Sequence, residues 1–363
     1  MTIFGTRPEI IRLSLVMRLL DQHCDHTTVH TGQNYTESLS DIFLRDLNVR
    51  TPDFHLGLRS NGFGEQIGQI LTKVDAIMEE VKPDKLLLLG DTNSALTAIL
   101  AARRGIPVFH MEAGNRCYDN RVPEEINRRI IDHASQILLP YTERSKENLV
   151  REGIERDRIF ITGNPINEVI LANHEKIENS DVLERLAVKQ YDYFLVTLHR
   201  AENVDLPVRL KKILNGLRLV TERFNKPMLV SLHPRTAGKL EEFGLKPDPE
   251  KIRLFEPLNF FDFVKLEKNA QGVLTDSGTV QEECAIFNVP NVTVRDVTER
   301  PETIEAGSNI LSGAEPNLIL KAVEIAVSQP ANWVAPHEYT VENVAHTVLK
   351  IVLGYTSTRR HVS

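Results

Sequence analysis

The sequence is poor in cysteine, and its three cysteines do not pair. Cys24, Cys117 and Cys284 lie far apart with no Cys-x-x-Cys spacing, which excludes a disulfide framework or structural zinc and fits buried thiols in a reducing compartment. No run reaches the roughly 18–20 consecutive apolar residues that a membrane helix needs. Residues 1–4 lead straight into a Gly-Thr turn rather than a signal-peptide core. The expectation is a cytoplasmic protein without membrane insertion, in which the glycosylation-like triplets at Asn34 and Asn291 carry no weight. Positive charge is not in excess either: a formal net charge of -7 argues against a nucleic-acid partner, which needs a basic face to displace counterions. Finally, no Gly-x-Gly-x-x-Gly follows a strand, so the common dinucleotide fingerprint is missing.

What is present is an ordinary globular composition, 41% hydrophobic and 26% charged over 363 residues, a length that favours two domains over one core. β-rich runs at 27–31, 85–89, 107–111 and 158–162 alternate with helical periods, which predicts a parallel sheet. Ile67, Ile70, Leu71, Val74, Ile77 and Met78 form one buried helical stripe, and Leu86–Leu89 is apolar throughout, as in a central strand. Residues 173–180 read as a linker. The rhythm then restarts, with strands at 193–197, 227–232, 252–255, 272–275 and 291–294 and helices near 208–224, 260–268 and 279–287. The predicted class is α/β, with domains at 1–172 and 181–340 whose parallel sheets face across a cleft. A last helix at 341–353, patterned by Val344, Val348, Ile351 and Val352, is expected to pack back on the first domain.

Ligands of open parallel sheets sit beyond the carboxyl ends of the strands, and polar clusters occur at those ends. Gly5-Thr6-Arg7-Pro8-Glu9 joins a turn, a cation and a helix start, which suits an anion but is also ordinary capping. Gly90-Asp91-Thr92, the run from His110 to Arg116, and the run from Pro123 to Arg129 each bring carboxylates; singly such groups cap helices, together they suggest one site. Downstream stand His199-Arg200-Ala201-Glu202-Asn203, His233-Pro234-Arg235, the run from Asp276 to Glu283 and Glu299-Arg300-Pro301-Glu302. Ser277-Gly278 at a helix start suits phosphate, and Glu283 suits ribose hydroxyls. His26 and His30 flank a β-branched run at a spacing that does not bring them together, so no metal is expected.

In order and along nearly the whole length, these motifs resemble the non-hydrolysing UDP-N-acetylglucosamine 2-epimerase family. The resemblance implies two Rossmann-like domains in the arrangement shared with many nucleotide-sugar glycosyltransferases, no cofactor, a UDP-amino-sugar substrate and a homodimer. It implies Asp91, Glu112 and Glu124 as catalytic carboxylates with His199 beside the leaving diphosphate. UDP would be held by Arg7, Arg12, Arg116, His233, Ser277, Gly278, Glu283 and Arg300. Arg12 stands where the family commonly has lysine, and the two are not equivalent at a phosphate. Gln33-Asn34 and Ala201 replace the glutamine-histidine pair and second arginine of the activator site. That departure implies a weakened second UDP-sugar site unless Arg59 or another cation compensates. The runs 10–14, 30–35 and 114–117 resemble a branch making UDP-N-acetyl-L-fucosamine.

The chemistry accounts for the carboxylates. Carbon 2 of an N-acetylhexosamine is not next to a carbonyl, so its proton is poorly acidic. Oxidising a neighbouring hydroxyl would call for a dinucleotide. The other route expels UDP from carbon 1 as a base removes the carbon 2 proton, giving a 2-acetamidoglucal that takes UDP back after reprotonation on the other face. That route needs both a base and an acid, which carboxylates supply when their environments differ. A glycosyltransferase of the same arrangement, a hydrolysing epimerase and a UDP-sugar sensor are the alternatives.

Overall fold

The structure, a computed structural model, describes residues 1–32, 37–58 and 62–355, with backbone alone at 37–41. It divides into two compact units, Met1–Ala172 with Glu338–Ser363, and Asn173–His337.

The first unit carries a six-stranded sheet of β1 (Thr2–Phe4), β2 (Thr28–His30), β3 (Phe54–His55), β4 (Leu86–Leu89), β5 (Val108–Met111) and β6 (Ile137–Leu139), in the order β3-β2-β1-β4-β5-β6. Every pairing is parallel. The second unit repeats the plan with β7 (Phe194–Leu198), β8 (Met228–Leu232), β9 (Ile252–Phe255), β10 (Gly272–Thr275), β11 (Asn291–Thr293) and β12 (Asn309–Leu311), in the order β12-β11-β10-β7-β8-β9. Each sheet reverses its strand order once, between β1 and β4 and between β7 and β10, and a crevice forms outside the carboxyl ends at such a reversal. These points decide where to look for a site.

Local sequence explains the framework. The helix Phe63–Val81 buries Ile70, Val74, Ile77 and Met78 in a core shared with Ile3, Val29, Leu86 and Leu88. In the second unit, Leu210, Ile213, Leu217 and Val220 of Pro207–Phe224 pack with Ile319 and Val323 over one face of the sheet. Tyr193, Leu195, Leu266 and Val280 fill the other. The final helix, Val344–Gly354, buries Val344, Val348 and Val352 and packs on Arg7–His23. Lys85 Nζ caps its last carbonyls at 2.6 Å (Val352) and 2.9 Å (Tyr355).

Several details correct the sequence reading. Residues 158–162 form no strand; the sixth position is Ile137–Leu139, and only a bridge joins Leu138 to Ile159. Residues 173–180 are not a loose linker but hold the helix His174–Glu178, whose Glu178 pairs with Lys265 at 2.6 Å and with Lys268. Of the cysteines only Cys284 is buried. Cys24 ends its helix exposed, with Sγ directed to the Leu20 carbonyl at 3.3 Å. No described helix is long and apolar enough to cross a membrane.

Gly114 shows how tightly the turn after β5 is specified. Its φ is +80°, and a Cβ there would lie 2.2 Å from the Ser145 carbonyl oxygen and 2.8 Å from Leu149 Cγ. The Gly114→Ala variant should therefore lose at least about 2 kcal/mol from left-handed strain and overpacking, measured by urea unfolding. A midpoint equal to the parent's would show that the helix Glu143–Arg151 yields more readily than this contact indicates.

Candidate functional site

In the first unit the polar groups gather at the reversal between β1 and β4. The turn after β1, read as an anion site, is filled by the protein's own anion. Glu9 Oε2 accepts from the Gly5 amide at 3.0 Å, the Thr6 amide at 2.8 Å and the Thr6 hydroxyl at 2.8 Å, while Oε1 accepts from Thr92 Oγ1 at 3.0 Å. This capping box ties the β1 turn to the β4 turn. Burial pushes the Glu9 carboxyl up to about 7 against the opposing pull of those hydrogen bonds. Arg7, at the start of the same helix, is half-buried over the Phe43 ring at 5.8 Å; desolvation lowers its pKa, and among the described residues no carboxylate pairs with it.

Asp91 follows β4 and is held from the helix Pro123–Ala134. Arg128 Nε donates to its Oδ2 at 2.9 Å, and Asn127 Nδ2 donates to its carbonyl at 3.0 Å. Glu112 follows β5 with a φ of +64°, a backbone state costing a non-glycine residue roughly 1–3 kcal/mol and typical of functional turns. Its Oε2 accepts from Arg12 Nη1 at 2.6 Å and its Oε1 from Asn115 Nδ2 at 3.3 Å. A Cβ on Gly90 would lie 3.9 Å from Glu112 Oε2, so the Asp91 turn and the Glu112 carboxylate are neighbours. Glu124 is half-buried in the first turn of Pro123–Ala134. The next residue serves the framework: Glu125 accepts from the Cys117 and Tyr118 amides at 3.0 Å each and from Arg128 at 2.8 Å.

Two arginines expected at UDP are occupied within the protein. Arg116 is fully buried at its side chain, 2.8 Å from Asp132 and 2.6 Å from Glu152, which makes it part of the framework and not of a ligand site. Arg12 is 2% exposed and turned to Glu112, so it orients a candidate catalytic carboxylate. Asp132 also meets His110 Nδ1 at 2.8 Å and accepts the Gly114 amide at 3.1 Å, while His110 Nε2 donates to the Gly90 carbonyl at 2.8 Å. Burial pushes the Asp132 carboxyl up, but His110 and Arg116 prevail and hold it below the usual range. His26 and His30 go separate ways, the first to Thr2 and Asp21, the second to His55.

In the second unit the polar groups collect at the reversal between β7 and β10. Buried Asp276 accepts the His199 and Arg200 amides at 3.1 and 3.0 Å and Asn203 Nδ2 at 3.1 Å, and lies 3.2 Å from His199 Nδ1. The His199 ring stands 5.5 Å from the His233 ring, and His233 Nδ1 caps Pro234–Glu242 by accepting the Arg235 amide at 3.2 Å. Ser277 precedes the helix Gly278–Phe287 without capping it, so its hydroxyl, 2.9 Å from Thr279 Oγ1, leaves the first amides to an anion. Arg300 lies against that helix start: a Cβ on Gly278 would sit 3.5 Å from its guanidinium carbon. Arg300 pairs with Glu282, and Arg200 and Arg295 hold Glu299 at 3.2 and 2.8 Å. Glu283 is buried farther along the same helix.

Each unit thus brings its own candidates together. Gln33, Asn34 and Arg59 lie outside the described residues, and Ala201 opens the helix Ala201–Val204. Sequence reasoning named Glu9, Arg128 and Asp276 only within longer runs, without a role of their own, and passed over Asp132. The available signal was charge on the buried face of a helix, as with Arg128 and Asp132 spaced i, i+4.

The raised Glu9 pKa carries a stability consequence. Between the ordinary 4.5 and about 7, the folded protein keeps a proton that the unfolded chain has released. The contribution is therefore complete below the unfolded value and is lost as pH rises through about 7, roughly 3 kcal/mol in all. In Glu9→Gln the amide oxygen keeps the turn's donors and its nitrogen donates to Thr92, without a titrating proton. Its melting temperature should fall less than the parent's between about pH 5 and about pH 8. Equal slopes by differential scanning fluorimetry would contradict this.

Comparison with known proteins agrees with the motif order. The family model described as UDP-N-acetylglucosamine 2-epimerase matches residues 18–353. A Methanocaldococcus jannaschii protein named UDP-N-acetylglucosamine 2-epimerase is 45% identical, over 92% of this chain and 93% of its own. The crystal structure of a UDP-GlcNAc 2-epimerase from that organism, in complex with UDP-GlcNAc and UDP, superposes with a TM-score of 0.93 at 42% identity, covering 98% of this chain and 99% of that one. A Pseudomonas aeruginosa UDP-2,3-diacetamido-2,3-dideoxy-D-glucuronate 2-epimerase is 35% identical over 91% of this chain and 92% of its own. The chain belongs to the UDP-N-acetylglucosamine 2-epimerase family.

Proposed function

We propose that this protein is a cytosolic, homodimeric, non-hydrolysing 2-epimerase that interconverts UDP-N-acetylglucosamine and UDP-N-acetylmannosamine. The observation that carries the reading is the convergence of Asp91 and Glu112 at adjoining strand ends of the first unit, each held by a buried arginine, in a chain 45% identical to a protein of that name.

In this mechanism a base among Asp91, Glu112 and Glu124 removes the proton from carbon 2. The electron pair forms the carbon 1–carbon 2 double bond, and the carbon 1–oxygen bond breaks toward UDP. The opposite carboxyl then protonates carbon 2 from the other face as UDP adds back to carbon 1. In the second unit, His199 and the amides opened by Ser277 and Gly278 meet the diphosphate as its charge grows, and Glu283 takes the ribose. Arg300, turned to Glu282, fixes the helix start under the phosphates. Arg12 and Arg128 hold Glu112 and Asp91 in place, so that proton transfer starts from a fixed geometry.

The 35% identical relative with a diacetamido-glucuronate name supports a second reading, in which the same elimination serves another UDP-amino sugar; UDP-N-acetyl-L-fucosamine formation is a third. Incubating the protein with each UDP-amino sugar and following carbon 2 by NMR separates them. Inversion of UDP-N-acetylglucosamine is expected, and inversion of a different sugar alone would overturn the assignment. With the true substrate, Asp91→Asn, Glu112→Gln and Glu124→Gln should each lose about 2.7–5.5 kcal/mol of transition-state stabilisation, near 10²- to 10⁴-fold in kcat/KM. A variant within twofold of the parent removes that residue from the acid–base set.

A further inference from the structure

Glu267, on the helix Phe260–Lys268, has no exposed surface, and the mechanism above gives it no task. Its Oε1 accepts from Cys284 Sγ at 3.4 Å. Its Oε2 is buried and meets no hydrogen-bond donor among the described residues. Facing it is Glu283, 5% exposed, on the adjoining helix Gly278–Phe287, and the two carboxyl groups are placed to share a hydrogen bond. Such a bond requires that one of them keep its proton, because two ionised carboxylates in a buried pocket repel strongly. Glu267, with no exposed surface, lies deeper than Glu283, and burial together with the Glu283 charge pushes its carboxyl well up from the ordinary range, so the shared proton is assigned to Glu267.

We propose that Glu267 is a positioning residue: as a neutral acid it donates to Glu283 and fixes that carboxylate to receive the vicinal hydroxyls of a nucleoside diphosphate's ribose. The inference rests on the reading of Glu283 as a nucleotide-binding group. An ionised carboxylate offers about four acceptor positions. One filled from the buried side leaves the others for the ligand and removes the rotamer freedom that binding would otherwise have to freeze.

The test compares UDP with 2′,3′-dideoxy-UDP by isothermal titration calorimetry on the full chain. The parent protein should prefer UDP. Glu267→Met, similar in size but lacking a donor, should reduce that preference on the order of tenfold while binding the dideoxy nucleotide as the parent does. Glu267→Gln, whose amide donates to Glu283, should recover most of the preference. A preference unchanged in Glu267→Met overturns the positioning role. A parent that binds UDP without discriminating overturns the ribose reading of Glu283 itself, and one that binds neither nucleotide overturns the proposed function. If Glu267→Met does not fold, infrared spectroscopy decides. A neutral carboxylic-acid carbonyl band present in the parent at neutral pH and lost in Glu267→Gln supports the proposal, and spectra identical in that region contradict it.

Discussion

Asp132 is the group on which the first unit's site depends. It is fully buried, and its two oxygens meet His110, Arg116 and the Gly114 amide. Through His110 it fixes the Gly90 carbonyl, and with it the turn that presents Asp91. Through Gly114 it fixes the turn that presents Glu112. One carboxylate on the helix after β5 therefore sets the separation of two strand ends. An unpaired charge buried there would cost about 3–5 kcal/mol, so the same contacts that shape the site also hold the fold.

The second unit repeats the device with Asp276, which gathers the amides of His199 and Arg200 and the Asn203 side chain. Around the start of Gly278–Phe287, Glu282, Glu299 and Glu202 are met by Arg300, Arg200 and Arg295. Charges balanced in this way leave the helix amides to attract an anion without an isolated buried charge when none is bound. In both units the motif carboxylates divide into those that build turns and those that turns present. Glu125 and Asp276 belong to the first group; Glu112 belongs to the second.

The division was only partly legible in the sequence. Long periodic segments such as Phe63–Val81 and the apolar run of β4 declared themselves, because burial on one or both faces leaves a period. β3, with two residues, is too short to show one. The strand-end rule puts Asp91, Glu112, His199 and Ser277 just beyond the carboxyl ends of β4, β5, β7 and β10, where the structure has them, since topology dictates where loops converge. It did not tell ligand groups from framework groups. Arg116 reads like a phosphate ligand until its two carboxylate partners, buried Asp132 and half-buried Glu152, are seen, and those partners lie 16 and 36 residues away in sequence. Glu9 looks like an ordinary cap, yet it occupies the turn that a free anion would enter.

The central claim is that paired strand-end carboxylates exchange the carbon 2 proton with solvent during inversion. Turnover of the UDP-amino-sugar substrate in deuterated water, followed by proton NMR of the product, tests it most directly. The account predicts one deuterium at carbon 2 of the inverted sugar, introduced at the rate of turnover and lost together with activity in Glu112→Gln. Inverted product that retains only protium at carbon 2 would contradict it.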